Sequence, residues 1–414
     1  MANSNAHDAY AAFRIPAYRR YFFGNLIFIL GLQMLKVAVG WEMYERTGSA
    51  LNLGYVGLVQ YLPQLAFVAV AGHITDVYNR KHVLMGAVMI VAAAAVGLAI
   101  NAALNGPTAV MYVCLFAAGT ARAFWMPSRS AFLPRIVPMS IFSNAVSWNT
   151  SGFEISSFIG PALGGLLIGY VGGVTTVYVL NAIVVTSFVL LLAGISYKHE
   201  PPAVRPPISL RSLSAGFRFI WKTKVVLSVM LLDMFGVLLG GATALMPIFA
   251  KDILHVGAKG LGWLLAAPSV GAFTSALIQA HMGPLRKAGR TILLAVTCFG
   301  LATVVFGLSR SFLLSLAMLF VIGVSDNISV VVRSTLVQTS TPDEMRGRVS
   351  ALNGLFIGTS NELGAFESGF VANLLGPVAS VVIGGLGTIV VVGATAWFSP
   401  QLRKYGRLGD PEST

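Results

Sequence analysis

Residues 119–165 read GTARAFWMPSRSAFLPRIVPMSIFSNAVSWNTSGFEISSFIGPALGG, and a weaker copy of this stretch lies 204 residues further along the chain, at 323–369. When the copies are aligned without a gap, several residues coincide: Gly119 with Gly323, Arg129 with Arg333, Ser130 with Ser334, Pro138 with Pro342, Asn149 with Asn353, Gly160 with Gly364 and Gly165 with Gly369. The offset is close to half of the 414 residues. The sequence therefore predicts a chain built from two copies of one unit.

The composition indicates an integral membrane protein. Hydrophobic residues make up 56% of the chain, charged residues 10%, and the mean hydropathy is +0.78, whereas soluble proteins carry roughly 25% charged residues. The net charge of +13 is spread in short clusters between apolar runs, which is typical of loops facing an anionic lipid leaflet and not of nucleic-acid binding. Cys114 and Cys298 lie in apolar runs without a spacing pattern, so we expect no disulfide framework, metal site or cofactor.

Twelve apolar runs are long enough to cross a membrane, because a spanning helix needs about 20 mostly apolar residues. Six precede a polar central stretch and six follow it. They cover residues 21–44, 55–74, 83–104, 109–132, 142–169, 174–196, 225–249, 260–280, 291–309, 312–334, 348–374 and 377–399. The predicted fold class is an all-α integral membrane protein with twelve transmembrane helices in two pseudo-symmetric six-helix halves.

The Lys and Arg residues predict the orientation of these helices. Both termini and the loops on their side of the membrane hold 22 of the 28 Lys and Arg residues, and the opposite loops hold four. Because cytoplasmic loops are enriched in Lys and Arg, we expect a multi-pass protein of the cytoplasmic (inner) membrane with both termini in the cytoplasm. No cleavage site separates Arg14, Arg19 and Arg20 from the first apolar run, so we expect a retained first helix and not a signal peptide.

The central polar stretch divides the chain. We predict an N-terminal six-helix half at 1–196, a cytoplasmic linker at 197–224, a C-terminal six-helix half at 225–399 and a cytoplasmic tail at 400–414. The linker opens with four prolines and then shows apolar residues at helical spacing: Leu210, Leu213, Phe217 and Ile220. That pattern favours an amphipathic helix on the membrane surface; the alternative is a linker with no role beyond its length.

The loop between the second and third runs reads GHITDVYNRK at residues 72–81. It resembles the signature G-x-x-x-D-R-x-G-R-K of the major facilitator superfamily, with Val77 and Asn79 in place of an Arg and a Gly. The resemblance implies the major facilitator fold, in which two six-helix halves surround a central cavity. It also implies a role in conformational change for the four matching residues: Gly72, Asp76, Arg80 and Lys81.

The fifth run contains GPALGG at residues 160–165, and such small residues let helices approach closely in lipid. The stretch is similar to the G-P-x-x-G-G signature of the superfamily's antiporters. The matching residues are Gly160, Pro161, Gly164 and Gly165. The similarity implies an exporter, and plain helix packing is the alternative.

Two further stretches extend the resemblance over nearly the whole chain: PSRSAFLP at 127–134 and TPDEMRGRV at 341–349. They look like the drug–proton antiporter branch of the superfamily, which includes the enterobactin exporter and macrolide efflux pumps. We assign four arginines of the two copies to the loops that change conformation during transport: Arg129, Arg333, Arg346 and Arg348.

Seven ionisable side chains lie well inside the apolar runs or near their middle, where each costs about 2.5–3.5 kcal/mol on insertion scales. They are Lys36, Arg122, Glu154, Asp233, Asp326, Glu362 and Glu367. In the superfamily's fold the first, fourth, seventh and tenth helices line the cavity, and this sequence places one charge on each. We expect Glu154 to be structural and take the other six as candidates for substrate binding or coupling.

Arg122 and Asp326 coincide when the two copies are aligned, so opposite charges occupy the same place in the two halves. The leading hypothesis is that they pair in one state of the transport cycle and separate in another. A static salt bridge is the alternative.

The remaining candidates have separate predicted roles. Lys36 is a candidate for binding an anionic group, with pairing to Asp233 or Asp326 as the alternative. Carboxylates inside a membrane are candidate proton carriers, and here these are Asp233, Glu362 and Glu367. Glu42 and Glu45 are expected on a solvated outer rim.

These features predict a secondary active transporter, driven by protons, that exports an amphipathic small molecule such as a drug or siderophore by alternating access. An importer or facilitator of a small nutrient with the same fold is the first alternative, and a non-transporting membrane sensor is the second. The sequence contains no G-x-x-x-x-G-K-[ST] loop and no catalytic constellation, so we expect neither an ATP-driven pump nor an enzyme. The expected partners of this monomer are its substrate, protons and the bilayer.

Overall fold

The computed structural model describes residues 8–197, 210–282 and 287–406, without the side chains of Asp76 and of residues 210–214. Helices account for almost all of these residues, and no strand occurs among them. Parts of the predicted linker and of the predicted C-terminal tail lie outside the described ranges.

Six long helices occupy the first half of the chain. In lipid a backbone must satisfy its own hydrogen bonds, so these apolar segments form continuous helices even where they contain proline, as at Pro63, Pro127 and Pro161. The helices are α1 (Pro16–Thr47), α2 (Ala50–Val77), α3 (Arg80–Ala103), α4 (Thr108–Ile136), α5 (Phe142–Val171) and α6 (Val174–Ala193).

The second half begins with a helix in the linker and continues with a second long series. The helices are α7 (Leu210–Lys222), α8 (Lys224–Gly240), α9 (Met246–Ile248), α10 (Gly257–His281), α11 (Ala288–Leu308), α12 (Phe312–Thr339), α13 (Asp343–Leu375), α14 (Pro377–Phe398) and α15 (Pro400–Lys404). A 3₁₀ turn, α9 and a π-helical turn at Phe249–Ile253 follow α8, so this seventh membrane segment runs over Lys224–Ile253.

Eleven helical segments in the described part of the chain are long and apolar enough to cross a membrane. Helix α13 is the twelfth: its 33 residues exceed the required length, but it carries Glu362 and Glu367 and is less apolar than the others. The predicted all-α fold of twelve transmembrane helices in two halves is confirmed.

The 204-residue repeat is visible in the helix boundaries. Shifting α4 by 204 residues gives 312–340, and α12 covers Phe312–Thr339; shifting α6 gives 378–397, and α14 covers Pro377–Phe398. The contacts repeat as well. A Cβ added at Gly119 of α4 would overlap the carbonyl oxygen of Gln60 in α2, and one added at Gly323 of α12 would overlap that of Pro268 in α10. The two halves are therefore copies in structure.

Contacts group the chain into two compact units, each with its own core. The N-terminal unit comprises Met1–Val39 and Val59–Arg205, and the C-terminal unit comprises Gly40–Leu58 and Pro206–Thr414. The first core contains a group of buried aromatic rings, including Tyr21, Phe28, Phe132 and Phe188. The second core is almost entirely aliphatic, including Val226, Val229, Ile292, Val332 and Leu336. The segment Gly40–Leu58 belongs to the first sequence copy but groups with the C-terminal unit. The domain boundaries inferred from the sequence stay a prediction.

Helix α7 packs on α13 through a small residue. A Cβ at Gly216 would lie 3.2 Å from Cβ of Arg348, and Ile220, one turn later, is buried. Because this buried face centres on Gly216 and Ile220, Phe217 is exposed, although the apolar stripe predicted from the sequence includes it; its ring stacks on exposed Trp221. The placement of α7 on a membrane surface stays a prediction.

Candidate functional site

A small polar cavity lies inside the C-terminal unit, between α8, α11 and α12. It offers about 20 Å³ to the centre of a water molecule, which is enough for one water. Its lining combines two carboxylates and two hydroxyls with apolar side chains: Leu232, Asp233, Gly236, Val237, Val296, Phe299, Ser325, Asp326 and Ser329. Two of the predicted substrate or coupling residues, Asp233 and Asp326, therefore meet at one cavity.

Asp233 is held in a buried ion pair. Its carboxylate on α8 contacts the guanidinium of Arg333 on α12, and the two residues are only 9% and 3% exposed. From the sequence, Arg333 is assigned to the loop after the tenth apolar run, because that run is predicted to end at residue 334. That placement is wrong: α12 continues to Thr339, so Arg333 lies inside the helix.

Several polar residues of α12 lie on one face of the helix, toward the cavity or toward Asp233 of α8. Asp326, Ser329 and Arg333 follow each other at intervals of three and four residues, and such residues lie side by side on a helix. Asp326 is half-buried, whereas Ser325 and Ser329 are each 4% exposed. The result is a row of polar groups facing α8 and α11 in an otherwise apolar environment.

The candidate cations of the N-terminal unit lie on α1 and α4. Lys36 is exposed and Arg122 is half-buried. About two helical turns beyond Arg122, the guanidinium of Arg129 lies 5.6 Å from the ring centroid of Trp125, a cation–π contact. The predicted pairs, Arg122 with Asp326 and Lys36 with Asp233 or Asp326, join residues of different units and stay predictions.

The other carboxylates predicted inside the membrane are not among the residues that line this cavity. Glu362 and Glu367 are half-buried on α13, and Glu154 is half-buried on α5. Oxygen Oε2 of Glu362 lies 2.7 Å from the position that a Cβ at Gly57 would take, so this carboxylate packs closely on α2. Their roles as proton carriers or structural groups stay predictions.

Residues of the loop signature between α2 and α3 form hydrogen bonds to the end of α6, to α4 and to the start of α3. Lys81 donates from Nζ to the carbonyl oxygens of Ala193 at 2.9 Å and Ile195 at 2.7 Å, at the end of α6, where a cation is favourable. Arg80 donates to the carbonyl of Ala131 at 3.5 Å. Asn79, which replaces a Gly of the family signature, caps α3 by accepting from the Lys81 N–H at 3.0 Å.

For two other residues of this loop signature, Gly72 and Asp76, the described part of the structure gives no side-chain contact that would support a role. A Cβ at Gly72 would meet no neighbour, and the side chain of Asp76 lies outside the described part of the structure. The conformational role of the whole signature stays a prediction.

The second pair of signature arginines lies in a helix and not in a loop. The segment predicted to begin at 348 begins as α13 at Asp343, because Asp343 and Glu344 occupy its first turn, where acidic side chains are favourable. Arg346 pairs with Asp343 at 2.8 Å, and Arg348 points its Nη1 to Sδ of Met345 at 3.3 Å. Both arginines are therefore exposed groups of the first turns of α13.

The GPALGG stretch places α5 directly on α1. A Cβ at Gly160 would lie 2.5 Å from Cβ of Gln33, and one at Gly164 would lie 3.1 Å from Cα of Met34. Pro161 and Gly165 are buried beside them. In the C-terminal unit, Gly364 packs closely on α8: a Cβ added at Gly364 would lie 2.9 Å from the carbonyl oxygen of Val237. Helix packing therefore accounts for these small residues, and a link to antiport stays a prediction.

A polar cluster at the end of α1 was not predicted. Tyr44 donates to the Asp252 carboxylate, and Lys251 lies 5.8 Å from the centroid of the Tyr44 ring. Glu42 pairs with Arg46 at 2.5 Å and is 2% exposed, so its expected place on a solvated rim is wrong. Glu45 is exposed. The spacing of Glu42 and Arg46, four residues apart, was the available sequence signal.

The architecture defines the class of protein. Two repeated units of membrane-spanning helices with buried charges on α8 and α12 are typical of a membrane transporter of the major facilitator type. A family model described as "Transmembrane secretion effector" matches residues 7–407. The chain belongs to that family of major facilitator transporters.

Named relatives and solved structures agree with this assignment. The enterobactin exporter EntS of Citrobacter koseri is 29% identical over 392 residues, covering 94% of this chain and 93% of the relative, and EntS of Escherichia coli strain SMS-3-5 is 28% identical over 401 residues, covering 96% and 95%. A bacterial homologue of the human lysosomal transporter Spinster superposes with a TM-score of 0.71 at 14% identity, covering 94% of this chain and 98% of its own. The nucleoside transporter NupG gives 0.70 at 15% identity, covering 92% and 99%. These structures show a shared fold, and family and fold are those of transporters, not of enzymes.

Proposed function

We propose that the chain is a secondary active exporter of an amphipathic small molecule, such as a siderophore or a drug, and that protons drive the export by alternating access. The observation that carries the proposal is the match to exporters over nearly the whole length of both chains. The family description, a secretion effector, supports the outward direction.

The charges of the N-terminal unit suit a substrate with anionic groups. Lys36 on α1 is exposed and Arg122 on α4 is half-buried, and charged side chains within spanning helices mark substrate or ion pathways. Lys36 and Arg122 are therefore the proposed contacts for the polar part of the substrate. The export would take place as a monomer in the cytoplasmic membrane, with both termini in the cytoplasm.

Transport by the purified full chain in proteoliposomes tests the function. Vesicles with an imposed pH gradient would be offered enterobactin or a lipophilic dye, with the substrate and the internal pH followed together. We expect the substrate and the protons to move across the membrane in opposite directions. Transported substrate without proton flux overturns the coupling, and cellular accumulation instead of loss overturns the direction in favour of an importer.

A matched pair of variants tests the cations. Lys36→Met should raise the substrate concentration needed for half-maximal transport of an anionic probe more than that of a neutral one. Lys404→Met, which removes an exposed cation of α15, is the control. Equal effects of both variants would contradict a substrate contact at Lys36.

A further inference from the structure

The cavity between α8, α11 and α12 has two acidic side chains in its lining, and a single basic side chain pairs with one of them. Its lining contains Asp233 and Asp326, and Arg333 pairs with Asp233. In the described part of the C-terminal unit, no side chain forms an ion pair or hydrogen bond with Asp326. An ionised carboxylate without a partner is costly in an apolar, membrane-embedded environment, and a proton bound from the cavity would remove that charge.

Two hydroxyl groups point independently to an occupant of this cavity. Ser325 and Ser329 are each 4% exposed and line the same cavity. Among the described residues of the C-terminal unit, neither hydroxyl has a hydrogen-bond partner. Buried polar groups are almost always hydrogen-bonded, and the cavity has room for one water. Water held by Ser325 and Ser329 would reach the Asp326 carboxylate.

The neighbouring charges favour a proton over a metal cation as the occupant. Arg333 already contacts Asp233, so its positive charge opposes a second cation in the cavity. A proton needs only one carboxylate oxygen, which Asp326 supplies at the cavity lining. The other elements packed on α8 and α12 add no titratable group to the cavity lining: α11 contributes Val296 and Phe299.

We propose that Asp326 binds and releases the transported proton. The proton passes between a water in the cavity and a carboxylate oxygen of Asp326, so the carboxylate alternates between charged and neutral forms and no other bond changes. The Asp233–Arg333 pair fixes the charge beside it, and Ser325 and Ser329 hold the water. This assignment rests on the proposed proton-coupled export.

Infrared spectroscopy of the full chain tests the site without a substrate. Difference spectra between acidic and alkaline buffer should contain a carbonyl band of protonated Asp326 that disappears in Asp326→Asn. Glu344→Gln, which removes an exposed carboxylate from the first turn of α13, should keep the band. Identical difference spectra for wild type and Asp326→Asn overturn the proposal. A carboxylate band that responds to sodium at constant pH also overturns it, in favour of a sodium site.

Transport assays separate this proposal from the proposed function. In proteoliposomes, Asp326→Asn should lose substrate-driven proton flux but keep exchange of substrate across the membrane without a gradient. Equal proton flux in wild type and Asp326→Asn overturns the assignment of Asp326 alone. Absent proton flux in the wild type overturns the proposed coupling. Should Asp326→Asn fail to fold, Asp326→Glu keeps the carboxylate, and it should shift the pH at which transport is half-maximal; an unchanged pH profile would count against Asp326.

Discussion

At the scale of single residues, the pair of Asp233 and Arg333 carries a definite energetic prediction. Both side chains are buried in spanning helices, and each compensates the other. Removing one partner of a buried pair leaves an uncompensated charge, which costs about 3–5 kcal/mol, whereas replacing both with apolar residues is often neutral or stabilising. Arg333→Met or Asp233→Leu alone should therefore lower the stability strongly.

Heating the detergent-solubilised variants and following the fraction that stays monodisperse checks this expectation. The double variant with Arg333→Met and Asp233→Leu should lose much less stability than the sum of the two single variants. A double variant as unstable as that sum would mean that the two charges do not compensate each other.

The sequence shows both residues of this pair but not their contact. Asp233 and Arg333 each stand out as charges in apolar runs, yet they lie 100 residues apart. Which residues of α8 and α12 face each other depends on how the two helices pack, and no local pattern encodes that. The predicted apolar run ends at 334, so the sequence assigns Arg333 to the following loop, although α12 continues to Thr339.

At the scale of elements, two glycine contacts fix the approach of neighbouring helices. An added Cβ at Gly119 would overlap the backbone of Gln60, and one at Gly323 would overlap that of Pro268. A backbone atom cannot move aside as a flexible side chain can, and forced overpacking costs about 1–3 kcal/mol. Gly119→Ala and Gly323→Ala should therefore each lower the temperature of unfolding.

Gly354→Ala is the matched control for these substitutions. Gly354 also lies in a spanning helix, but an added Cβ would meet no neighbour there, and replacing a helical Gly with Ala in open space stabilises by about 0.5–1 kcal/mol. An unfolding temperature that rises in all three variants would contradict close contact at Gly119 and Gly323.

Elements were more predictable than contacts, for a physical reason. Runs of about 20 apolar residues must be helices in lipid, so the repeat and the twelve segments could be found from the sequence. Boundaries differ where a helix extends beyond its apolar run: α13 begins at Asp343, five residues before the predicted start, because its first turn is polar and carries Asp343 and Glu344.

At the scale of the molecule, the segment Gly40–Leu58 links the two sequence copies. It belongs to the first copy but groups with the C-terminal unit, where Tyr44 donates to Asp252 and Gly54 packs on the backbone of Phe366 in α13. If the two copies move against each other during transport, these contacts must form and break.

Chemical crosslinking tests that expectation. In a chain with Cys114 and Cys298 replaced by serine, cysteines introduced by Tyr44→Cys and Asp252→Cys would be joined with a bifunctional thiol reagent of fitting length. We expect the joined protein to lose most of its transport, while the same protein treated with a monofunctional reagent retains it. Undiminished transport by the joined protein would show that the contact need not open.

Helix α13 also has a consequence for how the protein is made. It is long enough to cross the bilayer, yet its composition falls short of that of the other spans, and Glu362 and Glu367 lie near its middle. Entry of a nascent helix into the bilayer depends on the summed cost of its residues. Since α13 packs on α8 and α14, it should settle in the membrane late in synthesis, after α14 has emerged from the ribosome to pack on it.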